Sequence, residues 1–192
     1  HPLQSGWCFW YDKKMTSAER EEAKARGVKL SYKDQLKNLG TFTTVEDFWR
    51  HYVHMKRPSE LPVDTNMYLF REGCFPSWES YPAGGCWILK IKKGVGVTGK
   101  LWQDLLFAAI GELFEEPNVV GVTMAVRSKN DMLSVWNRDN YHGETRFFIS
   151  KRLREILRLE EHTMIEYKFH SKSMQDKSTY SNADAFVFMG GS

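Results

Sequence analysis

Cysteine is scarce in this chain. Cys8, Cys74 and Cys86 are odd in number and form no C-x-x-C pair. That argues against a disulfide framework and a zinc site, and it suits a reducing compartment. No apolar run approaches the length of a membrane span. The chain opens at His1 with neither Met nor a signal-type segment, which reads as a fragment trimmed of an N-terminal tail. Enzyme motifs are missing too. The six His show no H-E-x-x-H spacing, and there is no G-x-S-x-G, P-loop or G-x-G-x-x-G; Gly94-x-Gly96 lacks the third glycine. The Glu pairs at 21–22, 115–116 and 160–161 lie in polar stretches and read as solvated. Nothing nominates a nucleophile, a general base, a metal site or a cofactor site.

Aromatic residues, by contrast, are abundant at 14%, with seven Trp in 192 residues. A core of this size does not require so many, so some are candidates to face a ligand. The length fits one domain, 1–192. The net charge of +3 permits an anionic partner without demanding one.

The elements read as α+β. Trp7–Tyr11 is aromatic-rich and extended. Residues 13–29 are mostly Lys, Glu, Arg and Ala without an apolar stripe, and read as a solvated, charged insertion. Thr43 or Thr44 caps a helix running to about Met55, with Phe48, Tyr52 and Met55 as its buried stripe. Val45 and Trp49 add apolar surface beyond that stripe. Strands are expected at 67–70, 86–91, 119–126, 132–136, 164–169 and 185–188. Helices are expected at 101–114 and 147–159, and a Ser/Lys-rich loop between the last two strands. This order suggests helices on one face of a largely antiparallel sheet, with the other face open.

The informative site is Pro76-Ser77-Trp78-Glu79, inside a Pro/Gly-rich loop from Glu72 to Gly85. Loops run over the surface, so a Trp there is poorly explained as core. A carboxylate beside it supplies a flat apolar face and an acceptor fork together. Such a pair suits a purine: the ring stacks on Trp78, and Glu79 takes two N–H donors from the guanine edge. Taken alone, a Trp-Glu pair would still be read as ordinary surface.

The surrounding blocks change that. His1-Pro2-Leu3-Gln4 with Trp7 and Trp10, Thr44-Val45-Glu46-Asp47-Phe48-Trp49, Pro76-x-Trp78-Glu79 with Gly84-Gly85-x-Trp87, Ile110-Gly111-Glu112, Val126-Arg127 and Val135-Trp136 together resemble the translation initiation factor 4E family, in its order and over nearly the whole chain. His54-Met55-Lys56-Arg57-Pro58 and Tyr32 resemble its divergent 4E-homologous class, which often represses translation. The resemblance implies a curved, largely antiparallel sheet with about three helices on the convex face and a site for the messenger-RNA 7-methylguanosine cap on the concave face. It also implies a monomeric, non-enzymatic binding protein of the cytoplasm, with the nucleus also open to it.

Residue by residue, Trp78 and Tyr32 match the two aromatic plates, and Tyr32 stands where the standard factor has Trp. The methylated base carries positive charge, so each ring adds a cation–π contribution. Glu79 matches the guanine-edge residue, Trp136 a Trp near the methyl group, and Arg127 and Lys129 the phosphate contacts. Met132 and Cys86 replace basic residues of the standard factor, and Lys172 and Lys177 of the 171–180 loop are offered as compensation. On the dorsal face, His1, Pro2, Val45, Trp49, Asp104 and Gly111 match the surface that docks a Tyr/Leu helix of an initiation factor 4G-like scaffold or a 4E-binding protein. The rival readings are a cap-processing hydrolase, for which no metal-binding Glu cluster or His run is present, and a scaffold that has lost cap binding.

Overall fold

The computed structural model describes residues 1–28, 31–94, 96–140 and 143–186. Its centre is an eight-stranded sheet of β1 (Pro2–Lys13), β2 (Lys37–Thr44), β3 (Thr65–Arg71), β4 (Gly85–Lys92), β5 (Val119–Val126), β6 (Asn130–Asn137), β7 (Ile165–Phe169) and β8 (Asp184–Phe186). The spatial order is β2-β1-β3-β5-β6-β4-β7-β8, and every neighbouring pair is antiparallel. The sheet is curved.

Strand alternation sorts the side chains. Trp7 and Phe9 of β1, Met67 and Leu69 of β3, Trp87 and Leu89 of β4, and Leu133 and Val135 of β6 face one side. That side is covered by α3 (Val45–Tyr52), α4 (Val97–Ile110) and α5 (Gly143–Leu157), the three helices expected. Phe48 of α3 is fully buried and stacks on Tyr52 at 5.3 Å. Ile149, Leu153 and Leu157 seat α5 at helical spacing. The other side carries Tyr68, Phe70, Cys86, Ile88 and Trp136, and this is where the loops gather.

Several boundaries differ from the sequence reading. Thr44 is the cap of α3, its Oγ1 accepting from Asp47 N at 3.1 Å, but the helix stops at Tyr52. His54 and Met55 continue only through i→i−3 bonds to His51 and Tyr52, a tightened last turn. Helix α4 begins at Val97 rather than 101, where Gly96 at φ 75° and the Thr98 hydroxyl bonded to Asp131 (2.9 Å) set its start. It ends at Ile110 rather than Phe114, because Glu112 takes φ 55° and Leu113 N reaches back to Ala108 O, a Schellman-type stop. Glu112 tolerates that backbone while its carboxylate grips Arg71, with Nη1 at 2.7 Å from Oε1. Strand β2 was not anticipated, since Lys37–Gly40 offers little apolar signal. The 171–180 stretch contains a helix, α6 (His170–Asp176), not only loop. Of the expected strand 185–188, Val187 and Phe188 lie outside the described residues. Among the described residues, no helix is long and apolar enough to cross a membrane.

Residues 13–29 hold α1 (Ser17–Ala25), with no buried residue. A local device supports it: Glu19 N donates to Thr16 Oγ1 (3.2 Å), and Thr16 N donates to the Glu19 carboxylate (2.6 Å), a capping box.

Candidate nucleic-acid interface

A cavity of about 510 Å³ opens on the loop-covered face. It gathers residues from seven separate stretches of chain. Tyr32 comes from α2 (Tyr32–Gln35), and Trp78 and Glu79 from the 3₁₀ turn at Trp78–Ser80. Arg127 follows β5, Trp136 ends β6, and Lys177 and Tyr180 come from the chain after α6. Five of the six residues the resemblance assigned to the cap line this cavity: Tyr32, Trp78, Glu79, Arg127 and Trp136. Lys129 does not. It is exposed in the β5–β6 turn, one residue before β6 begins, and absent from the lining.

The 3₁₀ turn is braced from below. Pro76 and Ser77 are buried, and the Ser77 hydroxyl donates to Glu79 Oε2. Tyr81, just beyond it, is buried, and its carbonyl lies 2.9 Å from His170 Nδ1. His170 in turn packs on Trp136 at 4.5 Å, while Phe70 meets the same indole edge-on at 5.4 Å. Burial pushes the His170 pKa down to about 4, so at neutral pH this wall of the pocket is uncharged.

Tyr32 is held differently. Its ring is 43% exposed, yet its hydroxyl points inward. The phenol oxygen lies 3.0 Å from Pro76 O and 3.1 Å from Tyr68 Oη. Tyr68 donates its own proton to Asp12 Oδ2 at 2.7 Å, and Asn66 Nδ2 donates to Asp12 Oδ1 at 2.6 Å. Asn66 Oδ1 accepts from Arg127 Nη2 at 2.7 Å. A single chain of polar contacts thus runs from Arg127 to the exposed plate at Tyr32. Burial raises the pKa of Asp12, the bonds from Tyr68 and Asn66 opposing it, and burial raises that of Tyr32 as well.

Arg127 is anchored rather than loose. It donates to Val126 O (2.9 Å) and Thr65 O (3.3 Å), sits 3.9 Å from the Asp64 carboxylate, and lies over the Tyr180 ring at 5.5 Å. The two departures from the basic pattern become intelligible here. Cys86 is fully buried, and burial pushes its thiol up to about 12 against the pull of Lys168, so it is an uncharged packing residue. Met132 packs half-buried against the same cluster. Lys168, opposite Cys86 across the β4–β7 ladder, is also fully buried. Its ammonium donates to Asp176 (2.7 Å), Ser178 O (2.8 Å) and Ser181 O. It ties down the segment that carries Tyr180 and Lys177. Of the two compensating lysines, Lys177 reaches the cavity, whereas Lys172 pairs with Asp184 at 2.7 Å.

Sequence reasoning missed Asp12, Asn66, Tyr68, Tyr180, Lys13 and Lys14, all of which line the cavity. Asp12 was findable: positions 8, 10 and 12 share a face of β1, and a carboxylate there needs a partner. Tyr180 gave no signal, since only the clamp at Lys168 brings it in.

The second surface lies across the sheet. Trp49 is 42% exposed and meets Phe107 of α4 edge-on at 5.8 Å and Tyr52 at 5.7 Å. Val45 is half-buried beside it, its N–H bonded to His1 O at 2.9 Å, and Pro2 pairs with Thr44. Asp104 pairs with Lys100 on the surface of α4. Gly111 caps that helix, and an added Cβ there would stand 2.9 Å from Phe107 O. Phe107, missed from sequence, completes the aromatic patch with Trp49.

Residues 2–185 match the family model for eukaryotic initiation factor 4E. The chain is 36% identical over 186 residues to eukaryotic translation initiation factor NCBP of Oryza sativa subsp. japonica, covering 95% of this chain and 77% of the relative. It is 33% identical over 184 residues to eukaryotic translation initiation factor 4E-4 of Caenorhabditis elegans, covering 94% and 82%. Among solved structures, Ascaris suum eIF4E-3 in complex with an m7G cap superposes with a TM-score of 0.80 at 31% identity, covering 100% of this chain and 99% of that one. The C. elegans eIF4E-3 complex with the 4E-binding protein Mextli and a cap analogue gives 0.79 at 31% identity, covering 91% and 95%.

Proposed function

The chain belongs to the eukaryotic initiation factor 4E family, and we propose from this that it binds the 7-methylguanosine cap of messenger RNA in the cavity between Tyr32, Trp78 and Glu79 and bridges it to a protein partner through the Trp49 face. The observation that carries the reading is the joining of two aromatic residues, a guanine-edge carboxylate and an arginine in one cavity of about 510 Å³. The base stacks against Trp78 and Tyr32, and its cationic charge strengthens both contacts. Glu79, turned by Ser77, accepts the guanine N–H donors. Arg127 and Lys177 face the phosphates. The role is recognition, not catalysis, and the setting is the cytoplasm, where free thiols persist.

The Trp49–Phe107 patch fits helix-in-groove docking of an apolar partner helix, a 4G-like scaffold or a 4E-binding protein. Whether the complex initiates or represses translation depends on that partner.

The test is a fluorescence titration with 7-methyl-GTP and with unmodified GTP. Quenching of intrinsic Trp emission by the methylated ligand, with a much weaker response to GTP, is the expected result. Trp78→Ala should lose roughly 1–3 kcal/mol of affinity, the range for base–aromatic stacking. Equal affinity for the two nucleotides would overturn the assignment.

A further inference from the structure

The charged segment 13–29 reaches the site so far described only through Lys13 and Lys14. It contains six cations (Lys13, Lys14, Arg20, Lys24, Arg26, Lys29) and three carboxylates (Glu19, Glu21, Glu22). Its net charge of +3 equals that of the entire chain, so the remaining residues sum to zero. All of the excess positive charge is concentrated in this one segment.

Its helix does not contribute to the core, since α1 buries no residue. It is held by its own capping box, which occupies Glu19, and Glu22 pairs with Arg26. The internal carboxylates are therefore largely spent. Among the described residues, none of Lys14, Arg20 and Lys24 forms an ion pair with a carboxylate. These three cations border a hollow of about 570 Å³ that also takes in Met15, Ala23 and Val28.

The hollow adjoins the cap cavity. Lys14 and Gln35 line both. Lys14 N donates to Asp64 O at 2.9 Å, and the Asp64 carboxylate lies 3.9 Å from the Arg127 guanidinium. The hollow thus opens at the end of the sheet that carries the arginine facing the cap phosphates, with the Asp64 and Asp12 carboxylates on the cap side of that junction.

From this placement we infer that the hollow under α1 holds the RNA chain immediately following the cap, with Lys14, Arg20 and Lys24 on its phosphates and the Met15–Val28 side against a base. The inference rests on the cap-binding reading, since it needs the cap to set where the RNA emerges. The chemistry recognised is a single-stranded phosphodiester without sequence preference, because the cations contact backbone and the apolar wall accepts any base face.

The experiment compares 7-methyl-GTP, a short capped oligoribonucleotide and the same oligoribonucleotide uncapped, each across a range of salt. Each phosphate contact steepens the log K against log salt line by about −0.7 for a single strand. Three contacts predict a slope for capped RNA steeper than that for 7-methyl-GTP by roughly −2. In the Arg20→Gln, Lys24→Gln double variant, two contacts disappear and about −1.4 of that difference goes with them. On a fourfold rise in salt, those two contacts account for about a sevenfold difference in affinity loss. Affinity for 7-methyl-GTP and the melting temperature should be unchanged, since neither residue lines the cap cavity. The inference is overturned if capped RNA and 7-methyl-GTP share one slope, or if the double variant keeps the steeper one, as it would if an acidic protein were the true occupant. A wild-type chain that fails to bind 7-methyl-GTP would overturn the cap reading itself.

Discussion

The hydroxyl of Tyr32 offers a sharp test of how the pocket is built. In Tyr32→Phe the stacking ring remains, and only the phenol oxygen is removed. That oxygen lies within hydrogen-bond distance of Pro76 O (3.0 Å) and Tyr68 Oη (3.1 Å). Because the proton of Tyr68 already goes to Asp12, the single proton of Tyr32 is shared between those two acceptors. A net contribution of about 0.5–1.5 kcal/mol is typical of such a bond. Tyr32 sits just after a charged segment in a helix of only four residues, so the bond is what fixes the plate in the free protein. Without it, ordering must happen on binding and subtracts from affinity. The expected loss is about 1 kcal/mol, roughly fivefold in Kd for 7-methyl-GTP. Ring area alone would favour Trp at this position, by on the order of 0.5–1 kcal/mol. An indole carries no oxygen to meet Pro76 and Tyr68, so Tyr32→Trp should gain little or nothing. Fluorescence titrations of the wild type, Tyr32→Phe and Tyr32→Trp at one ionic strength measure this, with melting temperatures as the control for folding. Equal affinities of wild type and Tyr32→Phe, or a clear gain in Tyr32→Trp, would refute the anchored-plate argument.

Glu79→Gln should lose about 2 kcal/mol of affinity, roughly thirtyfold, because hydrogen bonds to a charged acceptor contribute ~1.5–3 kcal/mol and the amide turns an NH₂ toward the guanine donors; a fall in melting temperature with cap affinity intact would mark Glu79 as structural. Trp49→Ala should remove at least about 2 kcal/mol from binding of a helical Tyr/Leu peptide, as interface anchors do, while leaving 7-methyl-GTP affinity unchanged; loss of both would make Trp49 a core residue. His170 gives a pH signature. Its folded pKa of about 4 lies below the ordinary 6.5, so its contribution to stability is present above pH 6.5 and is lost as the pH falls toward 4, by up to about 3 kcal/mol. Denaturant melts of His170→Gln should show a shallower acid loss than wild type over that window, and an identical loss in both would remove His170 as its cause.

What the sequence made legible follows from how each signal is encoded. The helix-covered face was readable because its residues obey local periodicity: Phe48 with Tyr52, and Ile149 with Leu153 and Leu157, are neighbours through one helix alone. The strand pair expected at 119–126 and 132–136 was readable because both runs are largely apolar and joined by a polar turn, although Asn130, Asp131 and Asn137 also belong to β6. Strand β2 was hidden because Lys37-Asn38-Leu39-Gly40 takes its place from pairing with β1, a long-range fact with no local imprint. The cap site divides in the same way. Trp78 and Glu79 announced themselves through chemistry unusual for a loop. Arg127 and Trp136 could be assigned only through resemblance, as was Lys129, which stands exposed in the β5–β6 turn outside the cavity lining. Asp12, Tyr68 and Tyr32 are separated by tens of residues and meet only because β1 and β3 pair with Asp12 opposite Asn66. Their network matters most where this chain departs from the two-Trp pattern, because a phenol brings a hydroxyl that must be satisfied. The substitution at position 32 is then better understood as one member of a polar set with Tyr68 and Asp12 than as a weakened copy of a larger ring. A resemblance read one residue at a time sees only the smaller ring; the packing of α2 on side chains from β1 and β3 shows what was placed around it.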